Sequence, residues 1–312
     1  MKITYQNFNS SVKTKSEPSS LVAGLWIARS VIGTNSKGQI QPIFGFSAGF
    51  NRNKCENSSS WELLERLAFS PYMYDDQSLH DPVVYLSETL KPLETKGHIR
   101  EFLVGSMGSL RPFYGNGCAI FDNVPNAVLH SRRELIERHL CCEVWYKKSI
   151  RLMQDHQYKV NILIPSVKIA FYTINMIMKG KFAIAILKCS ETGFFAAGAA
   201  IKSSLEDAYE HALGEAGMIF EDFIKRREGN NSMEESQKKI LSLRDFGISE
   251  ERKKYFSNLE IQMTEQQYMQ PDYQSIIFEP LPNIYAARTF SKNALDPRLY
   301  ETQTTIPVLP LF

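Results

Sequence analysis

The sequence predicts an α+β fold in which helices pack on mainly antiparallel sheets. Short runs rich in β-branched and aromatic residues occur in both halves of the chain, and turn-forming residues separate them, as in hairpins. Longer amphipathic segments between these runs have the spacing of helices. With 312 residues the chain can bury a substantial core. We expect one domain over residues 1–312, with a first half at 21–150 and a second half at 151–312.

The first half begins with a predicted hairpin. Residues 21–32 and 39–48 are its two strands, and residues 33–38 form the turn. A helix follows and ends at about Phe69, before Pro71. The candidate N-caps of this helix are Asn57, Ser58, Ser59 and Ser60.

The remainder of the first half holds a second predicted helix. Residues 72–109 are mixed in character and rich in turn formers, which indicates a surface excursion. Residues 122–125 then lead into a helix over about residues 126–148.

The second half returns to strands and adds a third helix. Lys179-Gly180-Lys181 predicts a hairpin turn, and the third helix is capped by Ser203 or Ser204 and extends to about Arg227. Residues 232–270 are polar with weak helical periodicity. The predicted strands lie at residues 160–164, 168–171, 182–187, 194–200 and 274–291.

Composition excludes several classes of partner. The net charge is +2 and no run of like charge dominates, so nucleic acid is not indicated. The first residues lack the apolar core of a signal peptide, and no stretch approaches the ~20 apolar residues of a membrane span. We therefore expect a cytoplasmic protein without membrane contact. The five cysteines show no C-x-x-C spacing and are expected to be thiols rather than disulfides or zinc ligands.

Two near-copies of one motif are the most informative feature. On a helix, glutamates at i and i+3 lie on one face, and the apolar residues between them indicate a buried side close by. Two such helices facing each other would bring four carboxylates together. These repel unless a cation lies among them, so a divalent metal bridging a polyphosphate is the expected occupant. A solvated helix surface would explain a single copy, but the duplication favours a functional site. The copies are Glu62-Leu63-Leu64-Glu65-Arg66 and Glu134-Leu135-Ile136-Glu137-Arg138.

A weaker repeat links the third helix to the second. A small residue precedes the first glutamate by three positions in each, Ser131 before Glu134 and Ala212 before Glu215. A small residue at this place lets a helix approach a neighbouring backbone closely. Chance similarity between alanine-bearing amphipathic helices is the alternative explanation.

The histidines and glycines give little independent information. No two of the six histidines have metal-binding spacing; His130 and His139 flank the second motif, so either could reach a substrate or simply pack. The sequence contains neither a G-x-x-x-x-G-K-[ST] loop nor a G-x-G-x-x-G turn. A bound nucleotide would therefore be held by side chains and metal.

The motifs resemble those of the YcaO family. The first helix matches that family's S-x-x-E-x-x-E-R nucleotide motif at every defined position, and the second motif, preceded by Asn116-Gly117-Cys118-Ala119, is similar to its E-x-x-E-R segment. The resemblance runs in order over about residues 40–220. The residues that match the first motif are Ser59, Glu62, Glu65 and Arg66.

The resemblance implies an ATP and magnesium site between the paired acidic helices. It implies that Glu62, Glu65, Glu134 and Glu137 hold magnesium and take part in catalysis. It also implies that Ser59, Arg66 and Arg138 bind the nucleotide together with these glutamates, and Arg288 is a late candidate for the same role. Two departures matter. Asn126 stands where the family often has a further metal-binding glutamate and would be a neutral oxygen ligand of the metal, and only Arg52 or Lys54 could supply the family's upstream lysine charge.

The implied reaction is ATP-dependent activation of a peptide backbone amide. In the azoline-forming branch a Cys, Ser or Thr of a ribosomal precursor peptide is cyclised with loss of water. The implied partners are a leader-peptide-binding, ubiquitin-activating-like protein and, for azoles, a flavin-dependent dehydrogenase. The apolar, proline-containing tail at residues 307–312 resembles the family's proline-rich end only in part, and Phe312 is its catalytic candidate. Thioamide or amidine formation, and a non-catalytic nucleotide-binding scaffold, remain alternatives.

Overall fold

The computed structural model describes residues 11–36, 39–70, 73–74, 77–94, 97–103, 117–144, 152–174, 180–191, 195–228, 273–292 and 294–295. Over these residues the chain forms three antiparallel sheets and three long helices, which confirms the predicted fold class. The helices are α1 (Arg52–Ala68), α2 (Val124–Cys142) and α3 (Leu205–Glu228). The strands are β1 (Lys13–Pro18), β2 (Trp26–Ser36), β3 (Gln39–Gly49), β4 (Val84–Leu86), β5 (Cys118–Phe121), β6 (Met153–Asp155), β7 (Val167–Thr173), β8 (Lys181–Cys189), β9 (Phe195–Lys202), β10 (Gln274–Leu281) and β11 (Ile284–Phe290).

The first sheet has the order β1-β2-β3, and α1 packs against β2 and β3. The predicted hairpin is confirmed, but its first strand begins at Trp26 rather than at residue 21. The residues before it form a buried turn that contains Leu21, Val22 and Leu25.

The N-terminus of α1 was predicted wrongly. Asn51 is the N-cap, and its side chain accepts a hydrogen bond from the Lys54 N–H at 3.0 Å. The serines that looked like caps lie within the helix. Ser59 is fully buried there, and its hydroxyl donates to the Glu56 carbonyl and bonds the Ser30 hydroxyl on β2. These bonds satisfy the hydroxyl inside a helix, where serine otherwise competes with the backbone.

The second sheet has the order β4-β10-β11-β5 and carries α2. It joins strands far apart in the chain, including the confirmed strand region at 274–291, which is the hairpin β10-β11. The surface excursion predicted at 72–109 is only partly correct, because this segment supplies the edge strand β4 and core residues. The buried ones include Val83, Ile99, Phe102 and Leu103. The helix α2 begins at Val124, with Asn123 as its N-cap.

The third sheet has the order β6-β7-β8-β9, and α3 packs on β8 and β9. Three of its strands were predicted, as was the cap Ser204, whose hydroxyl accepts from the Asp207 N–H at 3.1 Å. Residues 160–164 do not form a strand. They make one isolated bridge, Val22 to Ile162, and pack their apolar side chains on the core below α3. The polar segment at 232–270 and the tail at 307–312 lie outside the described residues.

The three sheets share one helix-on-strand arrangement, which we call a unit. Each unit contains an edge strand, the strand beside it and the helix that follows the edge strand: β3, β2 and α1; β5, β11 and α2; β9, β8 and α3. A glycine lies at the matching place of each unit, and in the first and third units the helix backbone crosses close to it. A Cβ on Gly45 would lie 2.1 Å from the Ser59 carbonyl oxygen, and one on Gly198 would lie 2.1 Å from that of Ala212. In the second unit Gly117 has φ +68°, and a Cβ on it would lie 2.6 Å from the Thr289 carbonyl oxygen of β11 and 3.6 Å from the Ser131 carbonyl oxygen of α2.

Candidate functional site

In each unit, a glutamate of the helix accepts a hydrogen bond from a backbone N–H at the open edge of the sheet. Sixteen residues separate the backbone N–H donor from the carboxylate acceptor in all three cases. Because β3, β5 and β9 are edge strands, these N–H groups have no strand partner and need another acceptor. The donor and acceptor pairs are Phe46 and Glu62 at 3.0 Å, Cys118 and Glu134 at 2.9 Å, and Ala199 and Glu215 at 3.2 Å.

A second glutamate connects neighbouring units. Glu137 of α2 accepts a hydrogen bond at 3.1 Å from the N–H of Ile201, which lies on β9 of the third unit. The α2 and α3 carboxylates therefore share one strand edge. Glu65 of α1 is oriented towards the same region, since its charge interacts with those of Glu134 and Glu62. The structure thus brings the four motif glutamates and Glu215 into one cluster.

The carboxylates of this cluster are held in an environment that disfavours their charged form. Burial, the first cause in each case, raises the pKa of Glu134 and of Glu137 to about 7 and that of Glu215 to about 8, and neighbouring carboxylates add to the effect. Burial and the charges of Glu134 and Glu62 also raise the pKa of Glu65. A bound divalent cation would lower these pKa values again, because a nearby positive charge favours the ionised form of a carboxylate.

The cluster nevertheless remains open to solvent. The side chains of Glu62, Glu134 and Glu215 keep 31%, 24% and 23% of their surface exposed. These carboxylates are largely surrounded by protein atoms and still reach solvent, and we call this solvent-accessible cluster the recess. A small charged ligand can therefore enter it.

The arginines of the two motifs flank the carboxylates. Arg66 Nη2 lies 2.5 Å from Glu62 Oε1, and its guanidinium also lies over the Phe46 ring at 5.5 Å. Arg138 Nη2 lies 3.6 Å from Glu134 Oε1. Both pairs are one helical turn apart, as the sequence predicted.

Arg288, the late candidate for nucleotide binding, is buried beside the carboxylates. It is 2% exposed on β11, donates to the Phe102 carbonyl oxygen at 3.1 Å and interacts electrostatically with Glu134 and Cys118. The sequence did not reveal its burial, because that depends on pairing with the distant strand β5.

The roles of three other predicted site residues stay predictions. The hydroxyl of Ser59 bonds Ser30 of β2 and the Glu56 carbonyl in the contact between α1 and β2. Asn126 is exposed in the first turn of α2, about 12 Å along the helix axis from Glu134, and its role as a metal ligand stays a prediction. Phe312 lies outside the described residues.

Sequence reasoning missed Glu215, Lys202 and His211. Glu215 occupies the position of Glu62 and Glu134 in the third unit, and the small residue three positions before it was the available signal. Lys202 ends β9, and its charge interacts with Glu137 and Glu215. His211 Nε2 lies 3.8 Å from Glu215 Oε1.

Among the described residues, no group of three or more His, Cys, Asp and Glu side chains is arranged as a ready-made metal site. Magnesium at phosphate-binding sites is commonly held by one or two carboxylates together with waters and phosphate oxygens. The paired carboxylates with raised pKa values fit such a metal, which would arrive with a polyphosphate. Glu62, Glu65, Glu134 and Glu137 would hold it.

Three helices that present carboxylates to the open edges of three antiparallel sheets define a distinct class of α+β protein. No protein-family model matches the sequence, and no curated protein is similar to it. Solved structures are similar in fold. A YcaO protein from Methanopyrus kandleri, bound with AMPPCP and Mg2+, is 13% identical over 95% of this chain and 89% of its own, with a TM-score of 0.63.

Two biosynthetic proteins show the same likeness. One is a chain of the E. coli microcin synthetase McbBCD complex with pro-MccB17 bound, which is 11% identical over 96% of both chains with a TM-score of 0.66. The other is a heterocyclase in complex with substrate and cofactor, which is 11% identical with a TM-score of 0.64; the match covers 94% of this chain but 51% of that one. The chain has the YcaO fold, as the motifs predicted.

Proposed function

We propose that this protein uses ATP and magnesium to activate a backbone amide of a peptide. The observation that carries the proposal is the convergence of both Glu-x-x-Glu-Arg motifs in one recess, where burial and mutual repulsion raise the pKa values of the carboxylates. The fold supports it, since one similar structure is a YcaO protein bound with AMPPCP and Mg2+.

The reaction we propose is cyclodehydration of Cys, Ser or Thr in a ribosomal precursor peptide. The side-chain thiol or hydroxyl loses its proton and adds to the preceding carbonyl carbon, and the carbonyl oxygen takes the γ-phosphoryl group of ATP. That oxygen then leaves as phosphate while the amide nitrogen loses its proton and forms the C=N bond of the azoline. An amide oxygen is otherwise a poor leaving group, so phosphorylation is the step that makes ring formation possible.

The residues of the recess would divide this work by charge. Glu62, Glu65, Glu134 and Glu137 would position magnesium, which would offset the charge on the phosphate oxygens. Arg66 and Arg138 would bind phosphate oxygens or keep the carboxylates oriented, both of which suit a guanidinium. Arg288 would hold Glu134 from the β11 side.

The proposed partners follow from the same likeness. We expect a leader-peptide-binding protein to present the precursor peptide, and a flavin-dependent dehydrogenase if the product is an azole. Two of the similar structures support a peptide-modifying complex, since one is a microcin synthetase complex with pro-MccB17 bound and the other a heterocyclase with substrate.

We place this chemistry in the cytoplasm. All five cysteines lie buried as thiols, which fits a reducing compartment. No helix in the described part of the chain is long and apolar enough to cross a membrane.

Calorimetric titration of ATP with magnesium tests the nucleotide site. We expect saturable binding by the wild type and its loss in the Glu65→Gln, Glu137→Gln double variant. The matched control is Glu94→Gln, Glu191→Gln, which removes two exposed carboxylates outside both motifs. Absence of binding both by the purified protein and by the co-expressed complex would contradict the proposal.

Product analysis with the co-expressed complex tests the reaction. Cyclodehydration lowers the peptide mass by one water, about 18 Da, for each ring and releases one phosphate. A product that forms only with added sulfide would instead indicate a thioamide. If no phosphate is released from ATP with every partner present, the protein is a non-catalytic scaffold.

A further inference from the structure

The strand edge shared by α2 and α3 ends in a lysine. On β9, the N–H of Ala199 binds Glu215 and the N–H of Ile201 binds Glu137. Lys202 is the next residue and the last of the strand. Successive side chains of a strand point to opposite faces, so Lys202 shares a face with Ala200, which packs in the core beneath α3. Its charge interacts with both Glu137 and Glu215.

Two histidines occupy matching positions around this lysine. His130 lies four residues before Glu134 and His211 four residues before Glu215, so each is one helical turn from its carboxylate. The His130 ring lies against Phe121 with centroids 4.4 Å apart. The charge of Lys202 acts on both imidazoles. Lys202 and the two histidines therefore belong to one group, built from β9, α2 and α3.

Burial and nearby cationic side chains act on both imidazoles of this group. Burial and the charge of Lys202 lower the pKa of His130 to about 4, and burial, Lys202 and Lys54 lower that of His211 even though a carboxylate lies 3.8 Å away. Each imidazole has at least one N–H that can be donated to an anion. The His211 side chain is 45% exposed, so the region is open to a ligand.

We propose that Lys202, His130 and His211 form a subsite that binds a phosphate group of the nucleotide. A bare anion would be repelled by Glu137 and Glu215 on the neighbouring side. The ligand must therefore offer a cation to the carboxylates and an anion to the lysine. A polyphosphate with a bound divalent ion does both, because the metal faces the carboxylates while a phosphate faces the lysine. The identity of the phosphate carrier rests on the proposed function. The subsite itself lies outside both Glu-x-x-Glu-Arg motifs and comes largely from the third unit.

A matched pair of lysine variants tests this subsite. Lys202→Met removes the proposed phosphate contact, whereas Lys188→Met removes an exposed lysine near the other end of the same strand pair. Both are titrated calorimetrically with Mg-ATP and with inorganic tripolyphosphate plus magnesium. We expect Lys202→Met to weaken both ligands by about 10-fold or more, as for loss of one charge-assisted hydrogen bond, and Lys188→Met to bind within about twofold of wild type.

Further variants separate charge from fold. Lys202→Arg keeps the positive charge and should retain most of the affinity, and His211→Gln should weaken both ligands less than Lys202→Met. Thermal unfolding without ligand shows whether each variant is folded. Should Lys202→Met fail to fold, the comparison of Lys202→Gln with Lys202→Arg replaces it. Equal affinity of wild type and the charge-removing variant for both ligands would overturn the subsite.

The two probes keep this inference distinct from the proposed function. Lys202-dependent binding of tripolyphosphate without binding of Mg-ATP would support the subsite and contradict the nucleotide site. Mg-ATP binding that requires Glu65 and Glu137 but not Lys202 would support the nucleotide site and overturn the subsite. Failure of the wild type to bind either ligand would overturn the subsite as well.

Discussion

The first two units and the third share one architecture but differ at the residues that bear charge. All three contain the glycine, the helix cap and the glutamate that binds the strand edge. The first two continue with a second glutamate and an arginine, whereas the third has Met218 and Ile219 at these places. The shared residues are therefore those that hold a helix on a sheet, and the residues specific to two units are those proposed to bind metal and phosphate. The third unit contributes Lys202 and His211 instead.

The hydroxyl pairs show the same division. In the first unit the Ser59 hydroxyl bonds Ser30 at 2.8 Å, and in the second unit Ser131 bonds Thr289 at 2.5 Å. The third unit has alanine at both matching positions, Ala212 and Ala185, where the chain packs through methyl groups alone. The units thus share the contact between helix and strand, while the side chains at this contact are a pair of hydroxyls in two units and a pair of alanines in the third.

Replacing the glycines should change the free energy of unfolding most, if the units share a close approach of helix and strand. Gly45→Ala and Gly198→Ala each place a Cβ 2.1 Å from a helix carbonyl oxygen, so the helix must shift. We expect each to lower the free energy of unfolding by about 3 kcal/mol, measured by urea denaturation. The control is Gly49→Ala, whose Cβ would meet only the Cys55 Sγ at 3.3 Å. Equal stability of Gly45→Ala and this control would contradict the shared architecture.

The pH dependence of stability should be the next largest effect. The pKa values of Glu134, Glu137 and Glu215 are raised to about 7, 7 and 8, above the value of about 4.3 in an unfolded chain. The stability that these groups contribute is present at low pH and is lost as the pH rises through the folded pKa values. In EDTA we expect the free energy of unfolding to fall by on the order of 2 kcal/mol between pH 6.5 and 8.5.

The histidines do not obscure this window. Their lowered pKa values act in the opposite direction, but mainly below about pH 7, where an unfolded histidine becomes charged. Glu137→Gln should reduce the fall, because it removes one titrating group and one repulsive neighbour. The exposed substitution Glu191→Gln should leave the fall unchanged. Stability that is constant or rises over this window would show that burial and mutual repulsion do not raise the pKa values of these carboxylates as described.

Substitutions at the hydroxyl pairs should change the free energy of unfolding least. Ser131→Ala removes the bond to Thr289, which keeps its bond to Ser275 at 2.8 Å, so we expect a loss of about 1 kcal/mol. Ala212→Ser introduces a hydroxyl opposite Ala185 and should also cost about 1 kcal/mol, since Ala185 offers it no partner and a serine within a helix bonds a carbonyl of its own helix instead. Ser58→Ala, on the exposed side of α1, is the control and should be neutral in thermal unfolding. A stabilising Ala212→Ser would contradict the difference between the units.

Local patterns were sufficient for much of the fold. The hairpin β2-β3, the strands β7 to β9 and the positions of all three helices followed from periodicity and turn residues. The cap of α1 was misplaced because four consecutive polar residues formed a stronger local signal than Asn51. The hydroxyls of Ser59 and Ser60 instead bond Ser30 of β2 and serve helix packing, which the local sequence does not reveal.

Contacts between distant segments account for the rest. The sheet β4-β10-β11-β5 joins chain segments on both sides of the third sheet, so neither the strand β4 nor the burial of Arg288 could be inferred from neighbouring residues. The motif glutamates were identifiable because they are duplicated in sequence. Glu215 was harder to recognise because its unit lacks the second glutamate and the arginine, and only the spacing of small residues connected it to the others.

The hydrogen bonds between the carboxylates and the strand edges allow ligand binding in the recess to be followed separately in each unit. Four backbone amides, those of Phe46, Cys118, Ala199 and Ile201, donate to the glutamates of the cluster. A metal ion that draws a carboxylate away must alter the amide bonded to it. In a nitrogen-15 spectrum these four signals would therefore report separately on the first, second and third units, and would show the order in which ligand, metal and partner engage them.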